Sequence, residues 1–458
     1  MMWPPTHRSP FRLAAITEVL VWIGIVQFLR PLEAAPAEMS KAHAKALQHW
    51  RDSRFGLFIH WGPVSLKGTE IGWSRGAQVP IEDYDRLCQQ FNPSNFNATA
   101  WAKTAKAAGM KYVVLTSKHH DGFCIWNTKF TDYNIMNTPF RRDVVKELAD
   151  ACRRQGLVFG LYHSICDWRH PDYPLGSPGG KTQKTTPNMD RYSGYLKNQL
   201  AELIRNYRPL GLLWFDGEWE APWTHERGVD LDQFVRSLEP GILINNRVGK
   251  GRAGMAGTTS AGALPGDFDT PEQRIGNFQN DRPWESCITI CRQWAWKPND
   301  RLKSRKECLE TLVRTAGGDG NLLLNVGPMP NGEIEARQVE RLLEIGRWLK
   351  KNGESIYRTR GGPFKPGAWG ASTHKGNTIF LHVLKWGEGE TIELPAIEKR
   401  ILKCSLLNGR RLHWKQTREE VGITVPRGSR DEVDTIIVMK LDGSASDIAP
   451  IDVATEKP

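Results

Sequence analysis

Short unbroken apolar runs recur along most of this chain, each ending in polar residues and each separated from the next by a helix-length segment. The sharpest is Gly211-Leu212-Leu213-Trp214-Phe215-Asp216-Gly217. Four apolar residues in a row read as a strand buried on both faces, the kind that parallel sheets contain. Asp216 stands where that strand should end, and a carboxylate is costly in an apolar strand unless something uses it. Two uses are open: capping the next helix, or chemistry at the C-terminal rim of a barrel.

The alternation continues on both sides. Residues 54–62 read as a first strand with His60 and Trp61 at its end, and 97–108 as a helix closed by Gly109. A strand at 112–116 runs into Lys118-His119-His120-Asp121. A helix over 143–155 closes at Gly156, a strand follows over 157–162, and a helix over 191–207 is stopped by Pro209. Strands at 242–245 and 322–325, helices at 302–315 and 333–351, complete the pattern. Strand, loop and helix repeated with short linkers predict an α/β fold with a parallel sheet and right-handed crossovers. Polar residues at so many strand ends favour a (β/α)8 TIM-like barrel over an open sheet. Beyond Arg360 the texture changes to β-rich runs at 377–385, 400–406, 421–425 and 435–440, with no helix signal between them. These predict a C-terminal antiparallel β-sandwich. With 458 residues the chain is long enough for both modules.

The N-terminus carries Arg8 and Arg12, an apolar run from Val19 to Leu29, and a small-residue site at Ala35-Pro36-Ala37. That pattern predicts an export signal, with a run too short to span a membrane comfortably. The expected organisation is therefore a signal peptide over 1–37, a catalytic barrel over 38–358 and a β-sandwich domain over 359–458. No membrane span is expected in the mature chain, and export to the periplasm or the medium is. The eight cysteines form no CxxC pair and read mostly as small buried hydrophobes.

A net charge of +11 permits acidic partners, but the basic residues are scattered and no nucleic-acid motif accompanies them. The number of tryptophans, 18, is high, and many follow candidate strands, among them Trp61, Trp73, Trp168, Trp219, Trp284, Trp294 and Trp296. Some must be core, while others suit the apolar face of a sugar. Adjacent residues of an extended segment point to opposite sides, so His119-His120 is not read as a metal site. Gly317-Gly318-Asp319-Gly320 precedes a strand and so lacks the context of a phosphate loop, and no serine nucleophile elbow is present. What remains is a rim of His60, His119, His120, Tyr162, His163, Trp214, Asp216, Arg247 and Glu285. Neutral donors, aromatics and carboxylates of this kind suit polyol recognition and acid/base chemistry.

Four blocks then carry a specific resemblance: residues 55–62 (FGLFIHWG), 118–123 (KHHDGF), 213–217 (LWFDG) and 321–328 (NLLLNVGP). In this order they resemble the signature blocks of the α-L-fucosidases of glycoside hydrolase family 29, over about two-thirds of the chain. The resemblance implies a (β/α)8-like barrel with a C-terminal β-sandwich, and a retaining exo-α-L-fucosidase that needs no cofactor and no metal. Its substrate would be a fucosylated glycan or polysaccharide. It implies Asp216 as nucleophile, and His60, Trp73, His119, His120, Tyr162, Trp214 and Arg247 as sugar-pocket residues. For the general acid/base it points to Glu285, in a block 284–289 (WESCIT), with Glu272 as the rival. Two departures stand out. Gly72 replaces the family's glutamate before Trp73, with Glu70 the nearest acid, and Trp294-Ala295-Trp296 stands where Trp-Gly-Tyr is more familiar. A non-catalytic carbohydrate-binding relative, or a glycosidase for a related sugar such as α-L-galactose, are the alternative readings.

Overall fold

Seven segments, six of them apolar runs and all of them buried on both faces, join in one parallel sheet. They are β1 (Phe55–Ile59), β2 (Tyr112–Lys118), β3 (Val158–Ser164), β4 (Leu212–Asp216), β5 (Leu243–Ile244), β6 (Glu285–Thr289) and β7 (Asn321–Val326), in the order β5-β4-β3-β2-β1-β7-β6. They belong to a computed structural model that describes residues 36–260 and 266–453. The sheet's two edges do not stay open. The extended segment 267–272 hydrogen-bonds to both: the Asp267 N–H donates to Ile244 at 2.6 Å on one side, and the Cys287 N–H donates to Pro271 at 3.0 Å on the other. Parallel bridges Asn245–Phe268, Asp269–Trp284 and Glu272–Cys287 follow the same path. This eighth stave closes the barrel, which removes the edge-strand problem altogether.

Period-two alternation decides which residues face the barrel axis. Leu57, Val113, Leu115, Phe159, Leu161, Leu213 and Phe215 turn outward into the main core. Phe58, Tyr112, Val114, Tyr162, Leu212, Trp214, Cys287 and Leu323 turn inward and fill the barrel. The elements before the outer ring are α1 (Pro36–Ser53) and α2 (Ile81–Arg86); the ring itself is α3 (Ala98–Ala107), α4 (Val144–Gln155), α5 (Met189–Asn206), α6 (His225–Leu238), α7 (Arg305–Gly317) and α8 (Ala336–Asn352). Caps set several boundaries: the Asn97 and Asp143 side chains accept the N–H groups of Ala100 and Lys146, and Gly156 ends α4 at φ 66. α7 begins at Arg305, later than its apolar pattern suggests, because Ser304 and Glu307 form a capping box. Among the described residues no α-helix separates β5 from the closing stave, or that stave from β6, so the barrel is (β/α)8-like and irregular on this side.

The expected boundary at residues 358/359 falls just before β8 (Arg360–Gly361). β9 (Gly370–Lys375), β10 (Thr378–Val383), β12 (Ile401–Leu406) and β15 (Thr435–Leu441) join it in a five-stranded sheet. β11 (Thr391–Pro395), β13 (His413–Gln416) and β14 (Glu420–Thr424) make a second sheet. Pairing is antiparallel in both. Ile379, Leu381, Val421, Ile423, Ile437 and Met439 form a core shared by the two sheets, which makes a sandwich. All eight cysteines are free. The expected signal over 1–37 lies outside the described residues up to Ala35, while Pro36 and Ala37 open α1. No described helix is long and apolar enough to cross a membrane.

Candidate active site

Asp216 ends β4, at the C-terminal mouth of the barrel, and α6 begins only at His225 with Thr224 as its cap. The aspartate therefore caps nothing. Gly217 follows with φ 101, and a Cβ there would lie 2.2 Å from the Cys166 sulfur, so the turn that presents Asp216 requires glycine. Three side chains converge on its carboxylate. Arg247 Nη1 donates to Oδ1 at 2.7 Å, the Tyr162 hydroxyl donates to Oδ2 at 3.0 Å, and His120 Nε2 lies 3.5 Å from Oδ2. Burial alone would push the Asp216 pKa up, but the Arg247 guanidinium above all, with Arg252 farther off, holds it below its ordinary value.

Arg247 sits on the short 3-10 turn after β5 and does more than pair with Asp216. Its Nη2 donates to Glu272 Oε2 at 2.8 Å, its Nε donates to Thr270 Oγ1 at 3.0 Å, and its guanidinium lies 4.4 Å from the centre of the Trp214 ring. One buried guanidinium thus ties two carboxylates together at the mouth of the barrel. Glu272 comes from the closing stave. The residue after it, Gln273, holds φ 52, a strained backbone for a residue with a side chain and the kind of outlier that clusters at functional sites.

His60, His119 and His120 all reach this site. The notion that His119 and His120 diverge fails for a local reason: β2 ends at Lys118, and 119–122 form a turn closed by the Gly122 N–H donating to His119 at 3.0 Å. Their rings lie 4.2 Å apart. Burial lowers the pKa of all three, that of His60 to about 3, so they act as neutral imidazoles. The network fixes tautomers. Asn325 Nδ2 donates to the Trp294 carbonyl at 2.8 Å, so its Oδ1 accepts from His60 Nδ1–H at 2.7 Å. The Ser164 hydroxyl donates to Cys166 at 2.7 Å, so it accepts from His120 Nδ1–H at 2.7 Å. In both rings Nε2 is left as an acceptor. His120 Nε2 and His119 Nδ1 are buried polar atoms without a protein partner, as atoms meant for ligand hydroxyls would be.

These residues line a cavity of about 280 Å³, at the small end for ligand sites and suited to one monosaccharide. Phe58, His60, Trp73, His119, Tyr162, Trp214, Asp216, Arg247, Glu272 and Trp294 all contribute. Trp73 and Trp219 are 42% and 41% exposed and stack at 6.1 Å with their planes 13° apart, making an aromatic lip. Gly72 has φ 67, and a Cβ there would sit 2.7 Å from His119 Nδ1, so this backbone leaves no place for a carboxylate from position 72. Glu70 does not replace it. Its carboxylate accepts the N–H groups of Trp294 and Ala295, each at 3.0 Å, and thereby holds the loop that carries Trp294 into the cavity.

Two expected rim residues lie elsewhere. His163 follows inward-facing Tyr162 and so turns outward, where Nδ1 meets the Ser117 hydroxyl at 2.9 Å. Glu285 is the larger correction. It is the first residue of β6, level with Asn321 at the start of β7, and fully buried at the N-terminal end of the barrel. There it accepts from the Tyr112 hydroxyl and, at 3.1 Å, from Trp214 Nε1. Glu272 instead pairs across the sheet with Cys287, two residues beyond Glu285, and so stands one inward-facing step nearer the mouth. Arg252, Met255 and Glu218 were not foreseen. The first two line the cavity from a glycine-rich stretch without periodicity, and Arg252 Nε donates to buried Glu218 at 2.7 Å. Among the described residues no cluster of His, Cys, Asp or Glu is arranged to hold a metal ion.

With this geometry in hand, comparison with known proteins is specific. The sequence model of the family described as Alpha-L-fucosidase matches residues 30–354. The chain is similar to tissue alpha-L-fucosidase of Homo sapiens, 30% identical over 435 residues that cover 86% of this chain and 88% of the human one. Among solved structures it is similar to alpha-L-fucosidase isoenzyme 1 from Paenibacillus thiaminolyticus, at 36% identity and a TM-score of 0.79, covering 88% of this chain and all of that one. A GH29 alpha-L-fucosidase from Bacteroides thetaiotaomicron is similar at 30% identity and a TM-score of 0.79, over 87% of this chain and 96% of that one. That structure is a covalent intermediate trapped with 2-fluoro-fucosyl fluoride in a variant whose glutamate is replaced by glutamine.

Proposed function

The chain belongs to the α-L-fucosidase family, glycoside hydrolase family 29, and on that premise we propose that it hydrolyses terminal α-L-fucose with retention, using Asp216 as nucleophile and Glu272 as general acid/base. The observation that carries the assignment is the single Arg247 guanidinium holding both carboxylates at the cavity, with Asp216 fixed by two donors, Arg247 and Tyr162. Carboxyls spanned by one guanidinium suit the close spacing, about 5–5.5 Å, that retention uses.

The electrostatics follow from that bridge. In the resting site Asp216 is the anion that balances Arg247, and Glu272 is the group placed to give a proton to the departing oxygen. Attack turns Asp216 into a neutral ester. In the second step Glu272, as general base, takes a proton from the attacking water. His60, His119 and His120 offer neutral acceptors and donors to the sugar hydroxyls, and Trp214 and Trp294 offer apolar faces. The Trp73–Trp219 lip would meet the leaving group of a fucosylated glycan.

A panel of aryl glycosides tests the reading. Turnover of the α-L-fucoside should exceed that of the β-D-galactoside and α-L-rhamnoside by orders of magnitude. The α-L-galactoside is the informative comparison, because no carboxylate reaches the pocket from position 72. A protein that binds L-fucose but cleaves none of the panel would instead be a carbohydrate-binding relative.

Residues 1–37 are proposed as an export signal preceding the catalytic barrel of 38–358 and the β-sandwich domain of 359–458. Protein recovered from the medium or periplasm of its host should begin near Glu38 by N-terminal sequencing. Soluble protein from the cell interior still starting at Met1 would refute export.

A further inference from the structure

Glu285 remains without a part in the chemistry, although it is fully buried among apolar neighbours, where an ionisable group is expensive. Its surroundings are built rather than accidental. The Tyr112 ring that supplies one donor lies over Gly56, where a Cβ would be 2.3 Å from the ring, so the strand gives up a side chain to seat it. Asn321, level with Glu285, donates to the Trp50 carbonyl of α1 at 2.8 Å and closes the cluster from below. The other oxygen, Oε1, accepts the Trp214 indole N–H, at 3.1 Å.

Trp214 belongs to both levels of the barrel. Its N–H points down to Glu285 while its ring lines the sugar cavity, stacks on Tyr162 at 5.8 Å and 20°, and faces the Arg247 guanidinium at 4.4 Å. Both of those partners donate to Asp216. We propose that Glu285 is a positioning residue: from beneath the floor of the cavity it anchors the Trp214 indole and so sets the ring against which Arg247, Tyr162 and the sugar are aligned. The proposal rests on the retaining reading above. A hydrogen bond to a buried carboxyl fixes the ring's rotation, which packing alone leaves to the shape of the cavity. Positioning errors of this kind cost rate without altering which proton moves.

Glu285→Gln, Glu285→Leu and Trp214→Phe, singly and with the two Glu285 changes in the Phe background, make the test. In Glu285→Leu, kcat/KM should fall on the order of 10–100-fold, by the same factor for activated and poor leaving groups and without recovery by azide. Glu285→Gln, which still offers an oxygen to the indole, should stay within about threefold. In the Trp214→Phe background Glu285→Leu should cost nothing further, because the group it anchors is gone. A full-sized loss there would mean a merely structural role. A leaving-group-dependent loss rescued by azide would restore Glu285 as the acid/base. Nuclear magnetic resonance of the indole N–H groups gives a readout independent of activity. The signal absent from Trp214→Phe should move in Glu285→Leu and stay near its place in Glu285→Gln, even if the protein acts on another sugar. An unmoved signal overturns the anchoring itself.

Discussion

Asp216→Gly should fold and lose turnover of aryl α-L-fucosides by about 10⁴-fold or more, the scale of removing a nucleophile that works as one unit with its partners. Folding should survive because the substitution removes a carboxylate that caps no helix, and Arg247 keeps Glu272 and Thr270 as partners. Circular dichroism and an unchanged thermal transition check that point. The space left by the carboxylate should admit azide. Attack from that side would invert the anomeric centre and give β-L-fucosyl azide. In the wild type, NMR of the first-formed sugar should show α-L-fucose before mutarotation. The pH profile has a matching expectation. Asp216 is held below its ordinary value of 3.8, so the nucleophile is ionised above that pH and its protonation creates no acid limb there. First release of the β anomer by the wild type would overturn the covalent mechanism, and full activity of Asp216→Gly would overturn the assignment.

The barrel was legible because strands buried on both faces announce themselves as apolar runs, and β1, β2, β3, β4, β5 and β7 all do. The staves that escaped are the polar ones. Residues 267–272 alternate acid and apolar or small residues and include Pro271, and β6 reads Glu-Ser-Cys-Ile-Thr, so neither has an apolar run to betray it. Helix α6 was hidden for a related reason: it buries Leu231 and Val235 but also Gly228 and Asp232, too thin a stripe for a periodic signal.

The same blindness explains the two glutamates. Asp216 could be placed at the mouth because its strand visibly ends there. A residue in an unrecognised strand carries no mark of whether it begins or ends that strand, and in a parallel barrel this decides between floor and active face. Only the pairing of Glu272 with Cys287, two residues along from Glu285, separates the pair. The histidines posed the opposite difficulty. Their types were telling, but the turn after Lys118 that brings both to one site is a property of where β2 stops pairing.

Glu272→Ala should divide substrates by leaving group, and this is the sharpest test of the relocated acid/base. Expulsion of a sugar hydroxyl needs a proton in the transition state, so cleavage of fucosylated oligosaccharides should fall by about 10²–10⁴-fold. A dinitrophenyl fucoside leaves as a stable anion and should lose far less in its first step. Its second step, general-base attack by water, then becomes limiting, so the fucosyl-enzyme should accumulate and appear as a burst. Azide needs no deprotonation and should restore turnover, entering on the face the leaving group vacated to give α-L-fucosyl azide. The azide anomers therefore report the two roles separately: β when the nucleophile is missing, α when the acid/base is. Glu272 is 18% exposed at its side chain and held by Arg247, so its removal opens room at the cavity without emptying the core. If Glu272→Ala loses both substrate classes equally and yields no azide product, while Glu285→Ala shows the divided pattern, the bridge through Arg247 is structural and the carboxyl beneath the floor is the acid after all.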